Sequence, residues 1–117
     1  MVPKNPHLPW LDQIPCSVTV CDTKYKILYL NDRSAEVNAS DGGKALVGKN
    51  LVDCHPPAAQ EKLRKVMESG RPNVYTTEKN GKRKVICQSH WKRDGKVGGL
   101  VEITFEFPWD APHFVRT

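Results

Sequence analysis

Four cysteines and four histidines are the residues of this chain with the most chemistry to offer, and two of them are adjacent. Cys54 and His55 stand in KNLVDCHPPAAQEKLRKVM, residues 49–67, just ahead of a helical pattern. Thiol catalysis needs a base within hydrogen-bond reach of the sulfur and a third group to orient that base. Neighbours on an extended chain point away from each other, so Cys54 and His55 are poorly placed to act together. No oxyanion device is readable nearby. Structural zinc wants four ligands, usually as two close pairs. The candidates at positions 7, 16, 21, 54, 55, 87, 90 and 113 are scattered, and Cys87 and His90 have opposite strand parity. GGKALVGK contains a Gly-Lys but lacks both the spacing of a phosphate-cradling loop and the strand before it. The expectation is no catalytic residue, no metal site and no enzymatic activity. Cys54-His55 reads instead as the approach to a helix. His55 precedes Pro56 and is biased to extended geometry. Cys54 is expected to be a small buried group and His55 a partly buried, hydrogen-bonded one.

The elements that position these residues come from the rest of the chain. Its 117 residues suit one domain, with 38% apolar and 26% charged residues marking a globular chain. No apolar run approaches the ~20 residues a membrane span needs, and MVPKNPHLPW has no secretory h-region, so a cytosolic location is expected. The cysteines are then expected as free thiols. Eighteen basic against thirteen acidic residues leave a net charge of +5. The clusters Lys62, Arg64, Lys65 and Lys79, Lys82, Arg83, Lys84 read as a solvated face and a hairpin tip, and a nucleic-acid partner is not expected.

Residues 1–13 form a lead-in ending in a short helix, PWLDQI, stopped by Pro15. SVTVCD and KILYL alternate and read as an opening hairpin. Asn31-Asp32 caps a short helix, DRSAEVN. SDGGKALVGKN holds at most a helical turn near residues 44–47. PPAAQEKLRKVMESG is the clearest helix. Pro57 suits its first turn, Ala59, Leu63, Val66 and Met67 fall on one face, and Gly70 suits its end. Asn80-Gly81 and Asp94-Gly95 are hairpin turns joining NVYTTEK, KRKVICQSHW and KVGGLVEITFEF. The last strand should lie mid-sheet with its Val97, Gly99, Val101, Ile103 face covered. Strands at both ends and helices between predict an α+β fold, an antiparallel sheet with helices on one face.

That order, together with VTVCDTKYKILYLND, LVGKNL, the CHPP start of the long helix and DGKVGGLVEIT, resembles a PAS domain over residues 14–107. The resemblance implies a five-stranded antiparallel sheet cupping a few helices around a pocket, in a module that senses a ligand or cofactor, or dimerises, and passes the signal to a neighbour. FPWDAPHFVRT departs from the usual helical linker, leaving residues 108–117 as a Pro-rich aromatic tail that either ends a stand-alone domain or folds back on it. Flavin photosensors of the family resemble GRNCRFLQ where this chain has GKNLVDCH. Leu51 occupies the place of the reactive cysteine, so flavin photochemistry is not expected. Haem sensors carry a His on the long helix where this chain has Leu63, which would leave His55 as the only haem route.

Two functional readings remain open. In the first, a small, largely apolar or aromatic ligand sits between the long helix and the sheet. It would be lined by Leu51, His55, Leu63, Val66 and Met67, and across from them by Val74, Thr76, Val85, Cys87, Gly99 and Val101, with His55 or Thr76 as polar contact. In the second, the core is filled and the chain is a homodimerising or partner-binding module. Its contact patch would then be Tyr75, Ile86 and Leu100 with tail residues Trp109 and Phe114.

Overall fold

The computed structural model describes residues 8–117, apart from the side chain of Cys54, so most of the lead-in and the expected burial of that thiol lie outside the described residues. The chain runs α1 (Pro9–Gln13), β1 (Ser17–Asp22), β2 (Ile27–Leu30), α2 (Asp32–Val37), three single 3-10 turns (Ala39–Asp41, Gly43–Leu46 and Val52–Cys54), α3 (Pro57–Ser69), then β3 (Asn73–Lys79), β4 (Lys82–Arg93) and β5 (Lys96–Glu106). The strands form one sheet ordered β2-β1-β5-β4-β3, with every neighbouring pair antiparallel. The terminal strand lies mid-sheet as its length predicts.

Local chemistry accounts for these elements. Asn80 and Gly81, and Asp94 and Gly95, all take positive φ, which the tight hairpin turns require. Asn31 caps α2 by accepting from the Ser34 N–H. The same side-chain oxygen also accepts from Val18 N–H, while its amide donates to the Leu11 and Cys16 carbonyls. One fully buried Asn therefore ties β1, α1 and α2 together. Tyr29 donates to Asp12, fastening α1 to β2.

α3 buries Leu63 and Val66 against the sheet and ends at Gly70 in the left-handed region. His90 Nε2 lies 2.7 Å from the Met67 carbonyl and so donates to it, pinning the last turn of α3 to β4. Leu63 and Val66 join Cys21, Ile27, Leu30, Leu46, Leu51 and Leu100 in one buried cluster, with Tyr25, Val47 and Met67 packed at its edge. Burial pushes the Cys21 thiol up to about 11.

The register fixes which side of each strand faces the helices, since directly opposed residues share a face. Cys21, Leu100 and His90 form one inward row, and the next holds Thr19, Glu102, Gln88 and Asn73. Ser17, Thr104, Ile86 and Tyr75 follow, then Glu106, Lys84 and Thr77. This corrects two sequence expectations together. Leu100 and Ile86 are 2% and 7% exposed on the core side, so they are no surface patch, and Tyr75 shares their face half-buried. Val74, Thr76, Val85, Cys87, Gly99 and Val101 point away from the helices, and Val74 is 62% exposed. The Val97–Ile103 face of β5 is therefore not the one α3 covers. Gly99 contributes close approach: an added Cβ would lie 1.9 Å from the Cys21 carbonyl oxygen of the neighbouring strand.

Candidate functional site

Of the residues predicted for the helical wall of a pocket, Leu51, Leu63 and Val66 are buried in the core cluster, and Met67 borders it. His55 is half-buried. Its Nδ1 lies 2.8 Å from the Leu51 carbonyl, and because a carbonyl can only accept, Nδ1 carries the proton. Gln60 donates to the His55 carbonyl from the first turn of α3. Both bonds brace the helix start. Cys87 and His90 face opposite sides of β4, as their parity predicts.

The inward rows beyond Leu100 are largely polar, with Ile86 and Tyr75 their apolar members. Asn73 Nδ2 donates to Gln88 Oε1 at 2.9 Å, and Gln88 Nε2 donates to Glu102 Oε2 at 2.8 Å, a relay crossing three strands. Gln88 is almost fully buried. Thr19 and Ser34 hydroxyls meet at 2.6 Å and hold α2 over β1. The register puts Tyr75 and Glu102 on the same inward face, and burial first, with the Glu102 carboxylate second, holds the Tyr75 hydroxyl above its usual value.

One row further, the sheet opens into a cleft of about 670 Å³. Its floor is Ser17, Thr104, Lys84 and Glu106, its roof is Asp32, Arg33, Glu36 and Val37 of α2, and the Gln13–Cys16 segment with Phe105 closes one side. Arg33 and Glu36 pair across the roof at 2.7 Å, and Asp32 pairs with Lys44 at 3.4 Å. None of the cleft residues belongs to either predicted list. Their signal was present in β5, where Leu100, Glu102, Thr104 and Glu106 alternate, but that set was assigned to the solvent side.

On the outward face, Val74, Val85, Cys87, Val101, Ile103 and Phe105 form an apolar strip. The tail continues it and folds back. The Arg83 guanidinium lies between the rings of Phe107 and Trp109, and Trp109 Nε1 donates to the Gly81 carbonyl. Phe114, predicted for the same patch, is 70% exposed. Among the described residues, no helix is long and apolar enough to cross a membrane, and no group of three or more metal-ligating side chains comes together.

The PAS fold family matches residues 11–106, and the chain belongs to it. PAS domains are sensory modules, and the five-stranded antiparallel sheet with its few helices is their architecture. Solved structures agree on the fold. A C-terminal domain from Streptococcus mutans is 22% identical, with a TM-score of 0.68, over 84% of this chain and 80% of that one. Vibrio cholerae VqmA, described among LuxR-type receptors, is 16% identical with a TM-score of 0.69, over 94% of this chain but 54% of its own length. The Aer2 receptor of Vibrio cholerae, a dual PAS-haem oxygen sensor, is 18% identical with a TM-score of 0.62, over 80% of this chain and 95% of that one. No curated protein matches the sequence.

Proposed function

We propose that this chain is the sensory module of a signalling protein and that it binds a small polar ligand in the cleft between α2 and the helix-facing side of β1, β4 and β5. The observation that carries this reading is the inward face of the sheet beyond Leu100. Folding alone asks for apolar residues on the side the helices cover. Here that side holds Thr19, Glu102, Gln88, Asn73, Ser17 and Thr104 against only Ile86 and Tyr75, and it leads into a cleft large enough for a small molecule. A local break with the packing rule is where a binding function is to be sought. The structural relatives support a ligand role in kind, since VqmA is described bound to DPO and Aer2 as a haem sensor. The apolar site under α3 is replaced in this reading, because Leu51, Leu63 and Val66 already fill the space beside Leu100. His55 then acts as a brace of the helix start.

The test is thermal stability against a library of small polar molecules, since a ligand of the folded state raises the apparent melting temperature. Thr104→Trp, which fills the cleft from its floor, abolishes the shift of any binder while the protein stays folded. A binder whose shift survives Thr104→Trp places the site elsewhere and refutes the reading.

A second reading rests on a separate observation. The outward face of β5 is more apolar than its inward face, and no described element covers Val74 or Phe105. A second copy of the chain meeting this strip, continued by Phe107, gives a homodimer, and the two readings are compatible.

A further inference from the structure

Resting on the cleft just proposed, we infer that its ligand is a zwitterion of α-amino-acid size, with its carboxylate on Lys84 and its ammonium group on Glu106. Most of the charges on the cleft roof are already paired. On the roof, Arg33 is paired with Glu36 and Asp32 with Lys44. On the floor, Lys84 of β4 stands directly opposite Glu106 of β5. Directly opposed Cβ atoms lie only about 4.5–5.5 Å apart, so the two side chains could readily meet. They do not: no ion pair joins Lys84 to Glu106, and among the described residues Lys84 donates, and Glu106 accepts, no side-chain hydrogen bond. One ammonium and one carboxylate thus stand side by side, open to the same cleft.

The next row supplies the rest. Ser17 and Thr104 are directly opposed across β1 and β5, half-buried, and their hydroxyls are unengaged among the described residues. A hydroxyl can donate or accept, so two of them beside an opposed charge pair can serve either end of a bound zwitterion. A ligand with one charge would satisfy one floor residue and leave the other facing its like-charged or unpaired surroundings. A neutral ligand could hydrogen-bond to both but would neutralise neither charge. An amino acid spans the pair with complementary ends, and its side chain then points toward Val37 and Ile14, the apolar part of the lining.

The experiment uses the whole chain and a matched set of probes: the standard α-amino acids, the corresponding amines lacking the carboxylate, and the corresponding acids lacking the ammonium group. Calorimetric titration of the wild type is expected to show at least one amino acid binding about ten-fold or more tightly than its amine and its acid. Lys84→Met and Glu106→Gln each weaken that amino acid about ten-fold. Lys84→Met leaves the amine unchanged, and Glu106→Gln leaves the acid unchanged. Lys79→Met, outside the cleft, binds as the wild type. Circular dichroism confirms the fold of each variant, and the comparison among probes on the wild type stands without any variant. Binding of the amine or acid as tightly as the amino acid, binding of only non-zwitterionic molecules, or affinities indifferent to both variants overturns the inference while leaving a ligand cleft in place. Failure of these probes and of a broad polar library alike overturns the cleft reading itself.

Discussion

Replacing Arg83 with alanine should free the tail from the β3–β4 hairpin and leave the domain folded. The guanidinium carbon lies 4.2 Å from the Phe107 ring centroid and 4.3 Å from that of Trp109. Its nitrogens reach the Phe107 and Pro108 carbonyls only at 3.5 and 3.3 Å, so the stacking carries most of the attraction. An exposed cation–π contact contributes roughly 0.5–1 kcal/mol, and two give about 1–2 kcal/mol. At RT ≈ 0.59 kcal/mol that is about a 5- to 30-fold fall in the ratio of docked to free tail. The backbone bond from Phe107 N–H to the carbonyl of residue 83 at 2.7 Å survives and keeps the strand end paired, but beyond it the Trp109–Gly81 hydrogen bond, worth about 1 kcal/mol net, holds the ring only weakly. Incorporating 5-fluorotryptophan gives one fluorine resonance for each of the three tryptophans, and Trp109→Phe assigns the tail's. In Arg83→Ala the Trp109 resonance should move toward the free amino acid, while Trp91, bonded to the Cys21 carbonyl at 2.9 Å, stays in place. Arg83→Lys should fall between, because an ammonium lacks the planar face that stacks on two rings. An unmoved Trp109 resonance in Arg83→Ala would refute the stacking argument, and movement of all three would show that the change reached the core.

Three further outcomes follow from the packing. Asn31→Ala strands two buried N–H groups and two carbonyls, and chemical denaturation should show a loss of about 3–5 kcal/mol. The Cys21 thiol is raised in the folded state, so its contribution is complete below pH 9 and is lost as pH rises toward about 11. The alkaline fall in urea midpoint should therefore flatten in Cys21→Ala, and in the native protein a thiol reagent should modify Cys16 and Cys87 before Cys21. Ile103→Glu, on the outward face, should convert a dimer to a monomer in sedimentation equilibrium without unfolding it, whereas Leu100→Glu should unfold the chain; a wild type that is monomeric at high concentration removes the dimer reading.

The hairpins and the long helix were legible because each rests on local chemistry. Asn80-Gly81 and Asp94-Gly95 supply positive φ, and Leu63, Val66 and Met67 recur at helical spacing. Strand alternation was legible too, as two sets of residues on each strand. Which set meets the helices was not, because alternation has no sign. Apolar content chose Val97, Val101 and Ile103 over Leu100, Glu102 and Thr104, and the choice inverted the strand residues of both predicted lists. The rule fails in a module whose covered face carries polar groups and whose outer face is itself apolar. Asn31 shows the same limit on a smaller scale. Its cap to Ser34 is three residues away and readable, but its bonds to Leu11, Cys16 and Val18 exist only once α1 and β1 are in place. Lys84 and Glu106 read as ordinary surface charges until the register set them opposite each other under α2.

Amide chemical-shift mapping by nitrogen–proton NMR, with the pooled α-amino acids as titrant, addresses the central claim most directly. Shifts concentrated at Ser17, Arg33, Glu36, Lys84 and Thr104 are the predicted result. Shifts concentrated at Leu51, His55 and Met67, or along Val74, Val85 and Val101, or none anywhere, would contradict it.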